Sequence, residues 1–151
     1  MRYFLDTEFN GFGGALLSLA LVPEDGGEEL YLTLGWTAPL HSWVERHVLP
    51  YLDTVPVALQ GPRLSRSDAA KAVAFYLQRH QQAEIIADWP EDIAQFCNLL
   101  MTGPGLMVPV PSLTFRLMML PGFSTAANSA VPHNALHDAR ALRDHFEDLL
   151  D

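Results

Sequence analysis

Hydrophobic residues follow two different periods along this chain, and each period predicts a kind of element. Residues 3–9 alternate and are rich in aromatic side chains, which predicts a strand. Near-continuous apolar residues at 15–22 predict a buried strand, and residues 29–34 predict a third. Glycine-rich loops at 10–14 and 23–27 join these segments, so we expect an antiparallel meander.

The middle of the chain changes to helical spacing. Apolar side chains recur at intervals of three or four between residues 40 and 51. Ser65 and Asp68 have the spacing of a capping box, which predicts a helix running to about residue 80.

The second half of the chain alternates between strands and helices. We expect a strand at 84–87, a helix at 92–101 and a fifth, buried strand at 106–110. One face of a C-terminal helix is marked by Ala135, Ala139, Leu142, Phe146 and Leu149. This order predicts an α/β fold with a mixed five-stranded sheet and helices on both faces.

Composition agrees with a single domain over residues 1–151. Met1 and Arg2 lead directly into the first strand, so we expect no signal peptide, and the one cysteine, Cys97, fits a reducing cytoplasm. Residues 93–115 carry no charge, but prolines and glycines interrupt them. We therefore expect no membrane span there.

The charge of the chain restricts the ligands that it can bind. The formal net charge is −9, and Lys71 is the only lysine. Proteins that grip long duplexes usually carry a basic patch, so the sequence argues against that class. It remains compatible with an enzyme that holds a few terminal nucleotides through metal ions and stacking.

Asp6 and Glu8 are the first candidates for chemistry. They lie two apart on a predicted strand, so both side chains point to the face that Phe4 also occupies. Adjacent carboxylates on an apolar strand are costly to bury unless a cation neutralises them. The alternative is that the strand ends at Leu5 and the pair is solvated.

Asp88 and Asp92 flank the turn between a predicted strand and a helix. Asp92 has the position of a helix cap, which is one interpretation. The other is that one of the two faces Asp6 from a neighbouring strand and completes a metal site.

His133 and Asp138 form the third candidate pair. Pro132 indicates that His133 lies in the loop before the helix with Asn134 as N-cap, so that both side chains reach one site. His133 and His137 also have the spacing of a zinc pair, although Asn134 stands where such motifs carry glutamate.

Together, Asp6-Thr7-Glu8, a mid-chain Asp and His133-x4-Asp138 resemble the three motifs of the DnaQ-like, or DEDDh, 3′–5′ exonucleases. The resemblance covers residues 3 to about 150. The opening Met-Arg-Tyr-Phe-x-Asp-Thr-Glu-Phe is similar to the small bacterial exoribonuclease branch. It implies a ribonuclease H-like fold.

The resemblance also implies a role for each residue. Asp6, Glu8, Asp138 and Asp92 would hold two Mg²⁺ or Mn²⁺ ions about 4 Å apart, and His133 would be the general base. Within this arrangement Asp6 would bridge both ions. Asp88 occupies the place of an asparagine in many relatives and is the alternative to Asp92.

The implied function is metal-dependent removal of 3′-terminal nucleotides from single-stranded RNA or DNA, with RNA favoured by the opening motif. The alternatives are a DNA proofreading or repair exonuclease, a catalytically idle binding module and a zinc hydrolase. Phe9, Phe12 and Trp89 are candidates for stacking on bases, with core packing as the other interpretation. The sequence leaves a homodimer open.

Overall fold

The structure is a computed structural model that describes residues 1–150. It contains a five-stranded mixed sheet and a separate two-stranded hairpin. The strands are β1 (Arg2–Phe9), β2 (Leu16–Pro23), β3 (Leu30–Thr33), β4 (Gln82–Ala87), β5 (Met101–Gly103), β6 (Leu106–Met107) and β7 (Ser112–Leu117).

Helices connect and cover the strands. They are α1 (Ser42–His47), α2 (Arg66–Leu77), α3 (Pro90–Leu100), α4 (Thr125–Asn128) and α5 (Ala135–Asp148), with 3₁₀ turns at Leu49–Tyr51 and Val57–Leu59. Ser65 caps α2 by accepting a hydrogen bond from the Asp68 N–H, as the capping motif predicts. Within the described part of the chain, no helix is both long and apolar enough to cross a membrane.

The main sheet has the order β3-β2-β1-β4-β7. Strands β1, β2 and β3 pair antiparallel, which confirms the predicted meander. Strand β4 joins β1 in parallel, and β7 joins β4 in parallel. Strand β1 therefore lies at the centre of the sheet, with partners on both sides.

Each face of the sheet packs against helices, because the side chains of β1 alternate between two cores. Tyr3 and Leu5 belong to a core shared with α2 and α3. Phe4 belongs to the core formed with α5, where its ring centroid lies 5.3 Å from that of Phe146. The predicted α/β class with helices on both faces is confirmed.

The predicted fifth strand at 106–110 was wrong. Leu106–Met107 pairs only with β5 in the hairpin, and the fifth strand of the sheet is Ser112–Leu117, largely exposed at the edge. Pro109 and Pro111 explain the difference, because proline has no N–H for a sheet ladder. The proline-free segment that follows pairs with β4 instead.

Candidate metal centre

The candidate residues meet where β1 and β4 end. These strands are parallel and Phe4 is paired with Ile86, so the continuation of the register brings Asp6 level with Asp88. Glu8 lies two positions further along β1. Strand β1 continues through Phe9, so the alternative in which it ends at Leu5 is wrong.

Side chains from α3 and from the start of α5 reach the same place, so that six titratable residues form two groups. In the first, one ligand atom each from Asp6, Asp88 and Asp92 lies within 4.8 Å of the others. In the second, atoms of Glu8, His133 and Asp138 satisfy the same limit. Both groups line one cleft of about 470 Å³.

Asp92 is held by β1 and does not cap its own helix. Helix α3 begins at Pro90, its N-cap Trp89 makes no side-chain bond, and Asp92 lies in the first turn. The N–H and the hydroxyl of Thr7 donate to Oδ1 of Asp92 at 3.1 and 2.6 Å. The capping interpretation of Asp92 was therefore wrong, and its other oxygen remains for the cleft.

His133 lies outside α5 in an unusual backbone conformation. Its φ is 67°, in the left-handed region that few residues other than glycine adopt. In this conformation the His133 N–H donates to Oδ2 of Asp138 at 3.0 Å. Its ring lies edge-on to Trp43, with centroids 4.9 Å apart. Backbone and ring are thus both held next to Asp138.

Asn134 fixes the start of α5 relative to the rest of the site. Its side-chain oxygen accepts hydrogen bonds from the N–H groups of Leu136 and His137 at 3.1 and 3.3 Å. Its side-chain N–H₂ donates to the carbonyl of Tyr51 at 2.8 Å. The N-cap that the sequence predicts is confirmed, and it also anchors the helix that carries Asp138.

Crowding of these carboxylates changes their protonation. Burial, followed by repulsion from the other acids, raises the pKa values of Asp6 and Glu8 well above their usual range. Burial raises the pKa of Asp92 to about 7 and that of Asp138 to about 6, against the opposing hydrogen bonds that both accept. The folded chain therefore retains protons in this cleft near neutral pH unless a cation replaces them.

The donor set fits divalent cations. Oδ2 of Asp6 and Oδ1 of Asp138 are buried and have no hydrogen-bond partner within residues 1–150. Buried polar atoms normally have partners, so these two oxygens are free to accept a ligand. Oxygen-rich carboxylate groups suit Mg²⁺ or Mn²⁺.

His137 does not join the cleft. Its Nε2 lies 2.9 Å from the carbonyl oxygen of Thr54, and neither group of metal-ligating side chains found in residues 1–150 includes it. The His133–His137 pair that a zinc site would need is therefore not formed.

All three predicted stacking residues, Phe9, Phe12 and Trp89, line the cleft. Phe9 is partly buried, whereas Phe12 is 99% exposed and Trp89 is 57% exposed. Core packing therefore does not account for Phe12 or Trp89.

The loop that presents Phe12 is held by α3. The Gly13 N–H donates to Oε2 of Glu91 at 2.7 Å, and Nε2 of Gln95 donates to the Gly14 carbonyl at 2.9 Å. A Cβ on Gly14 would lie 1.9 Å from the Asn10 carbonyl oxygen, so this turn requires glycine. The exposed aromatic ring is thus carried by an ordered loop.

Sequence reasoning missed two residues of this site. Thr7 alternates to the opposite face of β1 from Asp6 and Glu8 and was given no role, and Trp43 was counted only within the apolar spacing between residues 40 and 51. The pairing of Trp43 with His47 at helical i, i+4 spacing was a signal for an aromatic surface, and their ring centroids are 4.9 Å apart. No local signal links Thr7 to Asp92, which lies 85 positions away.

Comparison of the chain with models of known protein families and with characterised proteins found no match in either.

Proposed function

We propose that this protein is a metal-dependent 3′–5′ exonuclease acting on single-stranded nucleic acid, with RNA as the favoured substrate. The observation that carries the proposal is that five carboxylates and one histidine, grouped closely enough to share metal ions, line a single cleft. Two of the carboxylate oxygens there are buried without partners, as expected for metal ligands. The preference for RNA is supported by the resemblance of the opening motif.

The two groups of side chains suggest how two ions would be shared. Asp6 and Asp92, with Asp88 beside them, would hold one ion, and Glu8 and Asp138 would hold the other. When bound, Mg²⁺ or Mn²⁺ would neutralise charge on the scissile phosphate and lower the pKa of the attacking water.

His133 would take the proton of that water. Burial, and then the nearby His47, lower the pKa of His133, so its imidazole is neutral and able to accept a proton at pH 7. Trp43 limits the freedom of the ring. The proton passes from the water to His133 as the water oxygen forms the new P–O bond. The bond from phosphorus to the 3′-oxygen of the shortened strand breaks, and that oxygen takes up a proton from solvent to become a hydroxyl.

The proposal is tested with 5′-labelled RNA and DNA strands of one sequence, incubated with Mn²⁺ or Mg²⁺ and resolved by length. We expect labelled products that shorten one nucleotide at a time, faster from RNA, and no products in excess chelator. Asp6→Asn should abolish the products, whereas Asp148→Asn, an exposed carboxylate at the end of α5, should not.

Other outcomes distinguish the alternatives. Faster shortening of DNA would replace the RNA preference with a DNA-directed exonuclease. Cleavage in chelator would contradict the metal mechanism, and binding of the strands without cleavage in any metal would indicate an idle binding module.

A further inference from the structure

A second groove opens beside the metal cleft and is continuous with it. It has a volume of about 760 Å³ and shares Phe12, Trp89 and Glu91 with the cleft. Beyond these residues it follows α3 past Asn98 and also borders Arg66, the first residue of α2.

Arg66 is an exposed cation without an acidic partner. Six of the nine basic residues form ion pairs within residues 1–150, and they are Arg2, Arg63, Arg79, Arg116, Arg140 and Arg143. Arg66 makes none there. Glu91 is the one acid that lines the groove, and its Oε2 accepts a hydrogen bond from the Gly13 N–H at 2.7 Å. The guanidinium is therefore available to a phosphate.

Two aromatic rings stand where the groove meets the cleft. Phe12 is almost completely exposed at the tip of its ordered loop, and more than half of Trp89 is exposed. Exposed aromatic rings are the usual stacking surfaces for single-stranded bases. A path therefore runs from the metal cleft, past the rings of Phe12 and Trp89, to the guanidinium of Arg66.

The other side of the cleft lacks this combination. A pocket of about 540 Å³ joins the cleft at His133 and is lined by uncharged residues and histidines, including His47 and Tyr51, with no lysine or arginine. A strand that continues away from the scissile phosphate carries further phosphates on its 5′ side only. Charge complementarity therefore favours the groove with Arg66 as the path of that strand.

We infer that the groove between α3 and the Phe12 loop binds the nucleotide immediately 5′ of the scissile phosphate. Arg66 contacts a phosphate of that nucleotide, and its base stacks on Phe12 or Trp89. This inference rests on the proposed function and deepens it, because it makes a single strand, rather than a mononucleotide ester, the preferred substrate.

Two substrates with the same terminal nucleotide test the inference. One is a single strand of about ten nucleotides, and the other is the p-nitrophenyl ester of the nucleoside 5′-monophosphate, which has no upstream nucleotide. We would measure kcat/KM on both in Mn²⁺ for the wild type, Arg66→Gln and Lys71→Gln. Lys71 is the matched control, since it is an exposed cation of the same helix that does not line the groove.

Arg66→Gln should lower the ratio of kcat/KM on the strand to kcat/KM on the ester by about tenfold, through KM, because one charged hydrogen bond is lost. The salt dependence of log KM for the strand should also become shallower by about 0.7, as for one lost phosphate contact. Lys71→Gln should keep the wild-type ratio.

Equal losses on both substrates would overturn the inference, because Arg66 would then act on the terminal nucleotide or the metal centre. Identical behaviour of Arg66→Gln and Lys71→Gln would overturn it as well. If the wild type hydrolyses the ester but Arg66→Gln keeps the wild-type ratio of kcat/KM on the strand to kcat/KM on the ester, only the groove assignment fails. If the wild type hydrolyses neither substrate, the proposed function fails and the inference falls with it.

Discussion

Thr7 donates two hydrogen bonds to one oxygen of Asp92, and these bonds fix the buried carboxylate in the wall of the cleft. Asp88 lies in the same group of acids but follows the end of β4 without a comparable restraint from side chains in residues 1–150. The two residues can therefore be separated by substitution, although their carboxylates are neighbours.

We expect Asp92→Asn to lose nearly all nuclease activity and Asp88→Asn to keep much of it. An amide at position 92 can still accept from Thr7 but no longer offers a charged ligand atom. Initial rates in saturating Mn²⁺, with circular dichroism to check the fold, would measure the difference. The reverse order of losses would move the ligand to Asp88 at the strand end.

His133→Ala should slow hydrolysis by about 10²–10⁴-fold, the usual contribution of a positioned base. The wild-type rate should rise with pH through the pKa of His133, which burial and His47 place below its ordinary value, because only neutral imidazole accepts a proton. This pH dependence should disappear in the variant.

The matched control is His137→Ala, whose ring faces Thr54 outside the cleft. It should retain activity close to that of the wild type. Calorimetric titration with Mn²⁺ separates the two roles that His133 could have, since a base leaves metal affinity nearly unchanged in His133→Ala. A large loss of affinity there would make His133 a ligand.

At the scale of elements, the β1–β2 loop and α3 act as one unit. The side chains of Glu91 and Gln95, one turn apart on α3, bind successive glycines of the loop. This contact joins the metal cleft to the neighbouring groove, since Phe12 and Glu91 border both.

Gly14→Ala tests how tightly that unit is built. The added Cβ would lie 1.9 Å from the Asn10 carbonyl oxygen, so the backbone must shift. We expect a loss of about 1–3 kcal/mol in the free energy of unfolding, measured by urea titration, in the range of other overpacked sites. Gly61→Ala is the control, because a Cβ there meets nothing within 4 Å and φ is not positive.

Nuclease activity of Gly14→Ala should fall more than its stability predicts, because the loop presents Phe12 to both the cleft and the groove. If Gly14→Ala proved as stable and as active as Gly61→Ala, the loop would have adapted to the added Cβ without a loss of stability or activity.

At the scale of the whole molecule, the cleft concentrates negative charge within a protein whose net charge is already −9. The ion pairs lie elsewhere, as between Arg140 and Glu29 at 2.5 Å and between Arg63 and Asp53 at 2.6 Å. No ion pair within residues 1–150 involves the cleft carboxylates, so their charge is neutralised by protons or by cations from solution.

This charge distribution predicts how stability depends on pH in chelator. The folded pKa values of Asp92 and Asp138, about 7 and about 6, lie above the ordinary value. The stabilisation that these protonated carboxyls give the folded state is fully present below the unfolded pKa of about 4. It is lost as the pH rises through the folded pKa values. The free energy of unfolding of the metal-free protein should therefore fall between about pH 4 and pH 7.

Urea unfolding at a series of pH values would measure this slope. Asp6→Asn should reduce it, since Asp6 itself has a pKa raised well above its usual range by burial and so contributes to the slope. Saturating Mn²⁺ should reverse the slope, because the ions bind ionised carboxylates. Asp53, whose pKa Arg63 lowers, contributes the opposite slope only at lower pH. Metal-free stability that stays constant or rises from pH 4 to pH 7 would contradict the charge assignment.

Local geometry made much of this protein predictable from sequence. The alternation along β1 puts Asp6 and Glu8 on one face and Thr7 on the other, because successive strand residues point in opposite directions. Asn134 was recognised as an N-cap with His133 before it, because capping depends on a few neighbouring residues. The meander, the α/β class and the presence of helices on both faces also followed from periodicity and loop length.

Tertiary structure alone decided the rest, where the deciding contacts join distant segments. The 106–110 run is as apolar as a strand, yet the sheet takes the edge segment Ser112–Leu117, whose exposed side chains carry little periodic signal. The bonds from Thr7 to Asp92 and the groove beside Arg66 depend on how α2, α3 and β1 pack. Such contacts have no local sequence pattern, because their energy comes from proximity that only the folded chain creates.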